Sequence, residues 1–265
     1  MRWFEIALVS LTFITAVFWA MDKLVWKKRR AEAGLLEQDH LPWYIDYSNA
    51  FFPVLLAILI LRSFIAEPFR IPTGSMIPTL KIGDFILVNK FAYGLRLPIT
   101  NTKMIAIGEP KRGDVVVFKY PGMGADDPDA GIDFVKRVVG MPGDQVLYQR
   151  GVLTINGTPV AYQMEGPVEI RSGDNGIALP GVLAKEQLGT HPHQVQNFVQ
   201  SIEMGGMGDG EFNVPAGHYL VMGDNRDNSL DGRFWGMLPE QNLRGKAFLV
   251  WMNFGDFSRV GEKIP

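Results

Sequence analysis

The sequence predicts a mostly β protein: two N-terminal transmembrane helices followed by an antiparallel β-rich core with a smaller inserted β domain. Three observations carry that reading. Hydrophobic residues make up 47% of the 265 positions, and the excess gathers near the N-terminus in two long runs. Beyond Leu80 the runs become short, rich in β-branched and aromatic residues, and divided by Gly, Pro, Asn and Asp. A polar, glycine-rich stretch over 145–213 then interrupts the strand pattern, which resumes at FNVPAGHYLVMGDN.

Segment 1–22 is read as the first membrane helix. Its core, IALVSLTFITAVFWAM (6–21), carries no charge, and Trp3, Trp19 and Trp26 lie near its ends. A bilayer span needs about 20 apolar residues, with tryptophan favoured at the interfaces. A cleaved leader would have its positive charge before the apolar core and a small-x-small site after it. Here Arg2 is offset by Glu5 and the basic cluster WKKRR follows the core. The segment is therefore a retained anchor. Segment 23–47 holds Lys23, Lys27, Lys28, Arg29 and Arg30, so the positive-inside rule makes it a cytoplasmic loop. Segment 48–66 is the second span, with an apolar run from Ala50 to Ala66 broken only by Arg62, which sits near one end and can snorkel to water. The N-terminus and everything after Ala66 then face outward.

The outer part divides into a core, 67–144 and 214–265, and the insert, 145–213. Core strands are expected at FILVNKF, DVVVFKY, DFVKRVVG, HYLVMG and KAFLVWM, and further strands at QVLY and VLTI. TINGTPV carries an Asn-Gly turn signal and reads as a hairpin.

Composition removes several functions. A net charge of −2 with no basic stripe argues against nucleic-acid binding. Cysteine is absent, which excludes disulfides, zinc-thiolate sites and cysteine nucleophiles. The histidines are His40, His191, His193 and His218, and no H-E-x-x-H occurs. His191 and His193 read as solvated in a polar insert loop. DNSLDG (227–232) imitates the start of a calcium loop, but its twelfth position is Leu238 rather than glutamate. Neither metal nor cofactor is implied.

What remains is a serine in IPTGSMIPTL (71–80), fenced by Pro72 and Pro78. Ser75 does not sit in G-x-S-x-G, and Pro78 occupies the lysine position of S-x-x-K. A lysine general base is the other route, if desolvation lowers its pKa from about 10.4 toward 7–8. In DFVKRVVG, two-residue alternation places Lys136 with Phe134 and Val138, and Arg137 with Val135 and Val139. One of these cations must enter the apolar side or find a partner. Spacing alone favours a lysine snorkelling from an edge strand, and GDNRDNS (223–229) alone reads as a solvated turn.

Taken together the motifs resemble bacterial signal peptidase I, the membrane-anchored Ser-Lys endopeptidase family that removes signal peptides from exported proteins. The likeness rests on RSFIAEPFRIPTGSMIPTL, GDFILVNKFAYG, KRGDVVVFKYP, DFVKRVVGMPGD and GDNRDNSLDGRFWGMLP. It implies a β-rich catalytic core with a smaller β insert, Ser75 as nucleophile and Lys136 as general base. It implies an oxyanion hole from the Ser75 N–H and the Thr73 hydroxyl, where the family often has serine. Ser229 would orient the lysine ammonium, and Asp231 and Arg233 would form a supporting ion pair. Phe69, Ile71, Met76, Leu80, Ile86, Phe134 and Val135 would surround the scissile bond, with cleavage after small-x-small. The implied location is the bacterial inner membrane, with the catalytic domain on the periplasmic side. The implied partners are signal-peptide-bearing preproteins, the lipid bilayer and a secretion translocon. Two other readings are a narrower Ser-Lys peptidase for pilins or conjugation proteins and a non-catalytic, membrane-tethered peptide-binding module. Intact Ser75 and Lys136 speak against the second.

Overall fold

The computed structural model describes residues 2–32, 41–60, 66–96, 103–105, 107–124, 126–171, 176–206 and 208–265. Arg62 and His40 lie outside them. The N-terminal helices form one compact unit and most of the chain from Glu67 forms another.

In the first unit, α1 (Arg2–Met21) continues through a π turn (Asp22–Trp26) into α2 (Lys27–Glu32). The basic segment expected as loop is thus helical as far as Glu32, because KKRRAE is built from good helix formers. The second helix, α3 (Trp43–Ile60), begins five residues before the expected start at 48. The Ile45 and Asp46 N–H groups both donate to the Pro42 carbonyl, at 2.9 and 3.2 Å, which starts the helix there. The helices pack through Phe18 on Tyr44 and Trp19 on Phe52, ring centroids 5.4 and 5.0 Å apart. Buried Asp22 accepts from Arg30 Nη2 at 2.5 Å and Asn49 Nδ2 at 3.3 Å. Hydroxyls inside the helices return to their own backbone, Thr12 to Leu8 O and Ser48 to Tyr44 O, which satisfies these donors without water. Ile6–Arg30 and Trp43–Ile60 are long and apolar enough to cross a bilayer.

The second unit is built almost wholly of strands: β1 (Ala66–Arg70), β2 (Asp84–Asn89), β3 (Leu95–Arg96), β4 (Lys103–Ile105), β5 (Val115–Lys119), β6 (Asp133–Gly140), β7 (Gln145–Gln149), β8 (Val152–Ile155), β9 (Thr158–Pro159), β10 (Ala161–Arg171), β11 (Ala178–Leu188), β12 (His191–Phe198), β13 (Gly210–Asn213), β14 (His218–Met222), β15 (Leu238–Pro239) and β16 (Leu243–Asn253). A seven-stranded sheet runs β1-β2-β16-β5-β6-β14-β15. Its β16–β2, β16–β5, β5–β6, β6–β14 and β14–β15 pairs are antiparallel. Its middle strand β5, VVVFK, is buried on both faces. Val115 and Val117 join Ile71, Met76, Leu80, Ile86 and Val250 on one side, and Val116 and Phe118 join Tyr93, Val138, Tyr219 and Leu238 on the other. Continuous β-branched residues suit a strand covered twice.

Chain 145–213 leaves and re-enters this sheet between β6 and β14. It makes two small sheets, β13-β7-β8-β9 and β10-β11-β12. The β8–β9 hairpin turns at Asn156 and Gly157, with φ of 50° and 77°, the left-handed pair an Asn-Gly turn requires. Two strands here, β10 and β11, are 11 residues long. Most of β10 is open to solvent, so its side chains show no apolar alternation and its sequence gives little strand signal.

Candidate active site

Two segments of the core converge on Ser75. The first is the turn 71–80 between β1 and β2. Its first residue is tied to the start of β2: the Ile71 N–H donates to Asp84 O at 2.8 Å, and Ile71 O accepts from the Gly83 N–H at 2.9 Å. Within it the Leu80 N–H donates to Met76 O at 2.9 Å and the Ile77–Pro78 peptide is cis. Arg259, paired with buried Asp84, donates through Nη2 to Thr79 O at 2.9 Å. Met76 and Leu80 sink into the core, which leaves Ser75 half-buried above them.

The second is β6. Its pairing sets Lys136 opposite Val116 and Arg137 opposite Val115, so the two cations leave the strand on opposite faces. Both are buried, Lys136 at 4% exposure and Arg137 at 0%. Arg137 finds a carboxylate: Nε and Nη2 donate to the two oxygens of Asp224 at 2.9 and 2.8 Å, and Nη1 donates to Gly113 O at 2.8 Å. Lys136 does not. Its Nζ lies 2.7 Å from Ser75 Oγ and 3.1 Å from Val135 O, and 5.4 Å from the Phe134 ring centroid. Burial pushes its ammonium down from the ordinary 10.5 to about 8, against the pull of the Asp231 and Asp224 carboxylates, and Arg233 adds to the lowering. A lysine so placed is neutral in a useful fraction of molecules near neutral pH.

The segment after β14 holds the arrangement from behind. The Asn225 N–H donates to Ser75 O at 3.1 Å and its Nδ2 to Gly74 O at 2.9 Å. Asp224 accepts from Thr79 Oγ1 at 2.5 Å. Arg233 and Asp231 form a buried pair at 2.8 Å, and Asp231 also accepts from the Gly223 N–H at 2.9 Å. A side chain on Gly223 would overlap both Ser229 and the Ser75 carbonyl, so only glycine fits. Ser229 is buried here, but its Oγ has no hydrogen-bond partner among the described residues and makes none to Lys136. Thr73 is exposed two residues before Ser75.

The seven residues expected around the scissile bond divide. Phe69, Ile71, Met76, Leu80 and Ile86 form one buried cluster, with Val135 packed on it. Phe134 alternates to the opposite face, where it stacks on Tyr120 at 4.4 Å and packs with Phe118, beside the lysine. His193 requires a correction. It is not solvated: it lies on β12 with its side chain fully buried, 3.3 Å from Glu186 Oε2. The pattern H-x-V-x-N at 193, 195 and 197 faces inward at the period of a strand, a signal the polar composition hid. Asp224, Asn225 and Arg226 also escaped a reading of GDNRDNS as a solvated turn, and nothing in the insert sequence singled out Glu186. Among the described residues no cluster of His, Asp and Glu is arranged to hold a metal.

An antiparallel β scaffold that sets a serine against a buried lysine belongs with the serine peptidases. The family described as signal peptidase, peptidase S26 matches residues 44–252. The chain is 46% identical to signal peptidase I of Pseudomonas fluorescens, with 83% of this chain and 79% of that one covered. It is 46% identical to signal peptidase I of Pseudomonas aeruginosa, with 83% and 79% covered. For signal peptidase I of Haemophilus influenzae the identity is 35%, with 94% and 86% covered. A crystal structure of a signal peptidase I from Enterococcus faecalis aligns with a TM-score of 0.31 at 23% identity, over 53% of this chain and 98% of that one, a likeness too slight to build on. The chain belongs to the signal peptidase family of serine endopeptidases, peptidase S26.

Proposed function

We propose that this chain removes N-terminal signal peptides from exported preproteins, with Ser75 as nucleophile and Lys136 as general base. The observation that carries the proposal is the 2.7 Å approach of Ser75 Oγ to a buried lysine held at about 8. Neutral Lys136 takes the hydroxyl proton as Oγ adds to the scissile carbonyl carbon. The oxygen of the tetrahedral intermediate accepts from the Ser75 N–H and the Thr73 hydroxyl. The ammonium of Lys136 then gives its proton to the leaving amine, and an acyl-enzyme remains. Lys136, neutral again, deprotonates a water that attacks the ester and frees the serine. No histidine is required.

The catalytic core in this reading is 67–144 with 214–265, and 145–213 is an inserted subdomain. Ile71, Met76, Leu80, Ile86 and Val135 form the floor of the substrate cleft, and Phe134 walls it near the lysine. A floor already filled by these side chains leaves room only for small residues one and three positions before the cut, since overfilling costs about 1–3 kcal/mol. The spans 1–22 and 48–66 hold the enzyme in the bacterial inner membrane with the core outside, close to where the apolar segment of a preprotein lies in the bilayer. A translocon is a natural neighbour for such an enzyme.

The test is direct. Detergent-solubilised full-length chain is incubated with an unprocessed exported precursor, and the new N-terminus is mapped. Cleavage after small-x-small is expected, with none by Ser75→Ala or Lys136→Ala. Activity near wild type in either variant, or equal cleavage of Ala and Leu just before the cut, contradicts the proposal.

A further inference from the structure

The insert reaches the back of the site with two buried ionisable side chains. Glu186 on β11 accepts from Arg226 Nη1 at 3.0 Å and Nη2 at 2.5 Å. Its side chain is wholly buried, and so is that of His193 on β12. The two ring nitrogens of His193 both face oxygen: Nδ1 lies 3.1 Å from His191 O, and Nε2 lies 3.3 Å from Glu186 Oε2 and 4.0 Å from Asp224 Oδ1. Backbone contacts follow the same line. The Gln196 N–H donates to Asp224 O at 3.0 Å in a parallel bridge, and the Phe198 N–H donates to Asp227 Oδ2 at 2.8 Å. The segment thus gripped, 224–227, is the one whose Asn225 holds the carbonyls of Gly74 and Ser75. Arg226 and its chain neighbour Asn225 connect Glu186 to the carbonyls around the nucleophile.

Replacing a buried ion pair by apolar groups of similar volume is often neutral or stabilising, so such a pair is weak grounds for a stabilising role. Its bidentate geometry does fix where Arg226 lies, and with it the adjoining peptide. We propose that Glu186 and His193 are positioning residues for the nucleophile, and that the insert acts as the rear brace of the active site. This rests on the reading of Ser75 as nucleophile. Glu186 fixes the Arg226 guanidinium, His193 closes the gap between Glu186 and Asp224, and Asn225 passes the restraint to Ser75 O. Loosening the brace lets Ser75 drift from Lys136, and misplacement by about 1 Å can cost about 100-fold in rate.

The test uses full-length chain in detergent and a precursor with alanine before the cut. Glu186→Gln keeps the shape of the side chain and removes its charge. It is expected to lower kcat by about 10- to 100-fold with KM held within about twofold. Asn225→Ala lies downstream on the same route, so the double variant is expected to lose little beyond the worse single one. Hydrogen exchange at Asn225 and over 75–80, which needs no substrate, is expected to quicken in Glu186→Gln. A folded Glu186→Gln with kcat within about twofold of wild type, multiplicative losses in the double variant, or unchanged exchange overturns the proposal. If Glu186→Gln does not fold, His193→Gln decides on the same three readings. A wild-type chain that leaves the precursor intact counts against the peptidase reading, while the exchange measurement still tests the brace.

Discussion

The acid limb of the pH–rate profile should belong to Lys136, and its position should move when one remote carboxylate is removed. At a pKa of about 8, about one lysine in eleven is neutral at pH 7; at the ordinary 10.5 it is about one in three thousand. Burial therefore raises the neutral fraction by about 300-fold at that pH. In wild type, kcat/KM should climb about tenfold per pH unit below about 8 and level off above it. Asp231 opposes the lowering, since its negative charge favours the ammonium. In Asp231→Asn that opposition is gone and Arg233, now without its partner, adds positive charge nearby. The apparent pKa should therefore fall and the plateau should start at lower pH, even though the plateau itself is reduced. The assay is initial-rate cleavage of a quenched fluorescent precursor peptide by solubilised full-length chain, from about pH 6 to about pH 9. A flat wild-type profile, or a limb that stays in place in Asp231→Asn, would show that another group titrates.

Three other outcomes follow from the same geometry. Lys136→Met should be more stable than wild type at pH 7 by up to about 3 kcal/mol, because the folded wild type carries a buried charge there. The unfolded chain binds that proton more tightly, so wild-type stability rises between about pH 8 and 10.5 and the advantage of the variant vanishes above that window; urea unfolding followed by tryptophan fluorescence measures it. Gly223→Ala should lose about 10- to 100-fold in kcat, since the new methyl overlaps Ser229 and the Ser75 carbonyl, and a rate within twofold of wild type would mean the segment gives way freely. Protease added outside spheroplasts should digest the chain beyond Ala66 and spare Lys27–Arg30, and the reverse pattern overturns the orientation.

The architecture was largely legible, because its signals are local. Uncharged runs, Asn-Gly at 156–157 and the doubly buried VVVF of β5 each report their own surroundings. The convergence of Ser75 and Lys136 is not local. Sixty-one positions separate them, and alternation in DFVKRVVG says only that one cation enters apolar surroundings. In fact both do, and the difference lies in Asp224, far along the chain, which pairs Arg137 and leaves Lys136 alone. Polar segments misled for a related reason. His193 and Arg226 look solvated in sequence because composition cannot show that Glu186 meets both of them in the interior. Helix boundaries near 23–47 moved because charge marks a side of the membrane and does not mark where a helix stops.

Adjacent positions 136 and 137 are occupied by cations of opposite temperament. An arginine keeps its proton under any condition a protein meets, whereas a lysine can be persuaded to release it. Arg137 is locked to Asp224, Arg226 to Glu186 and Arg233 to Asp231, so the wall behind Ser75 is held by arginines that keep their protons. Against that fixed background, the order of two letters has a direction. Written K-R, the strand presents an amine able to trade a proton with Ser75 and a permanent cation able to hold the wall together. Written R-K, the same composition, charge and burial would place the permanent cation at the serine and hand the structural pair to a group with three donors and no planar fork. A search for distant enzymes of this type that scores the two basic residues as interchangeable would discard the information that separates a working site from an inert copy.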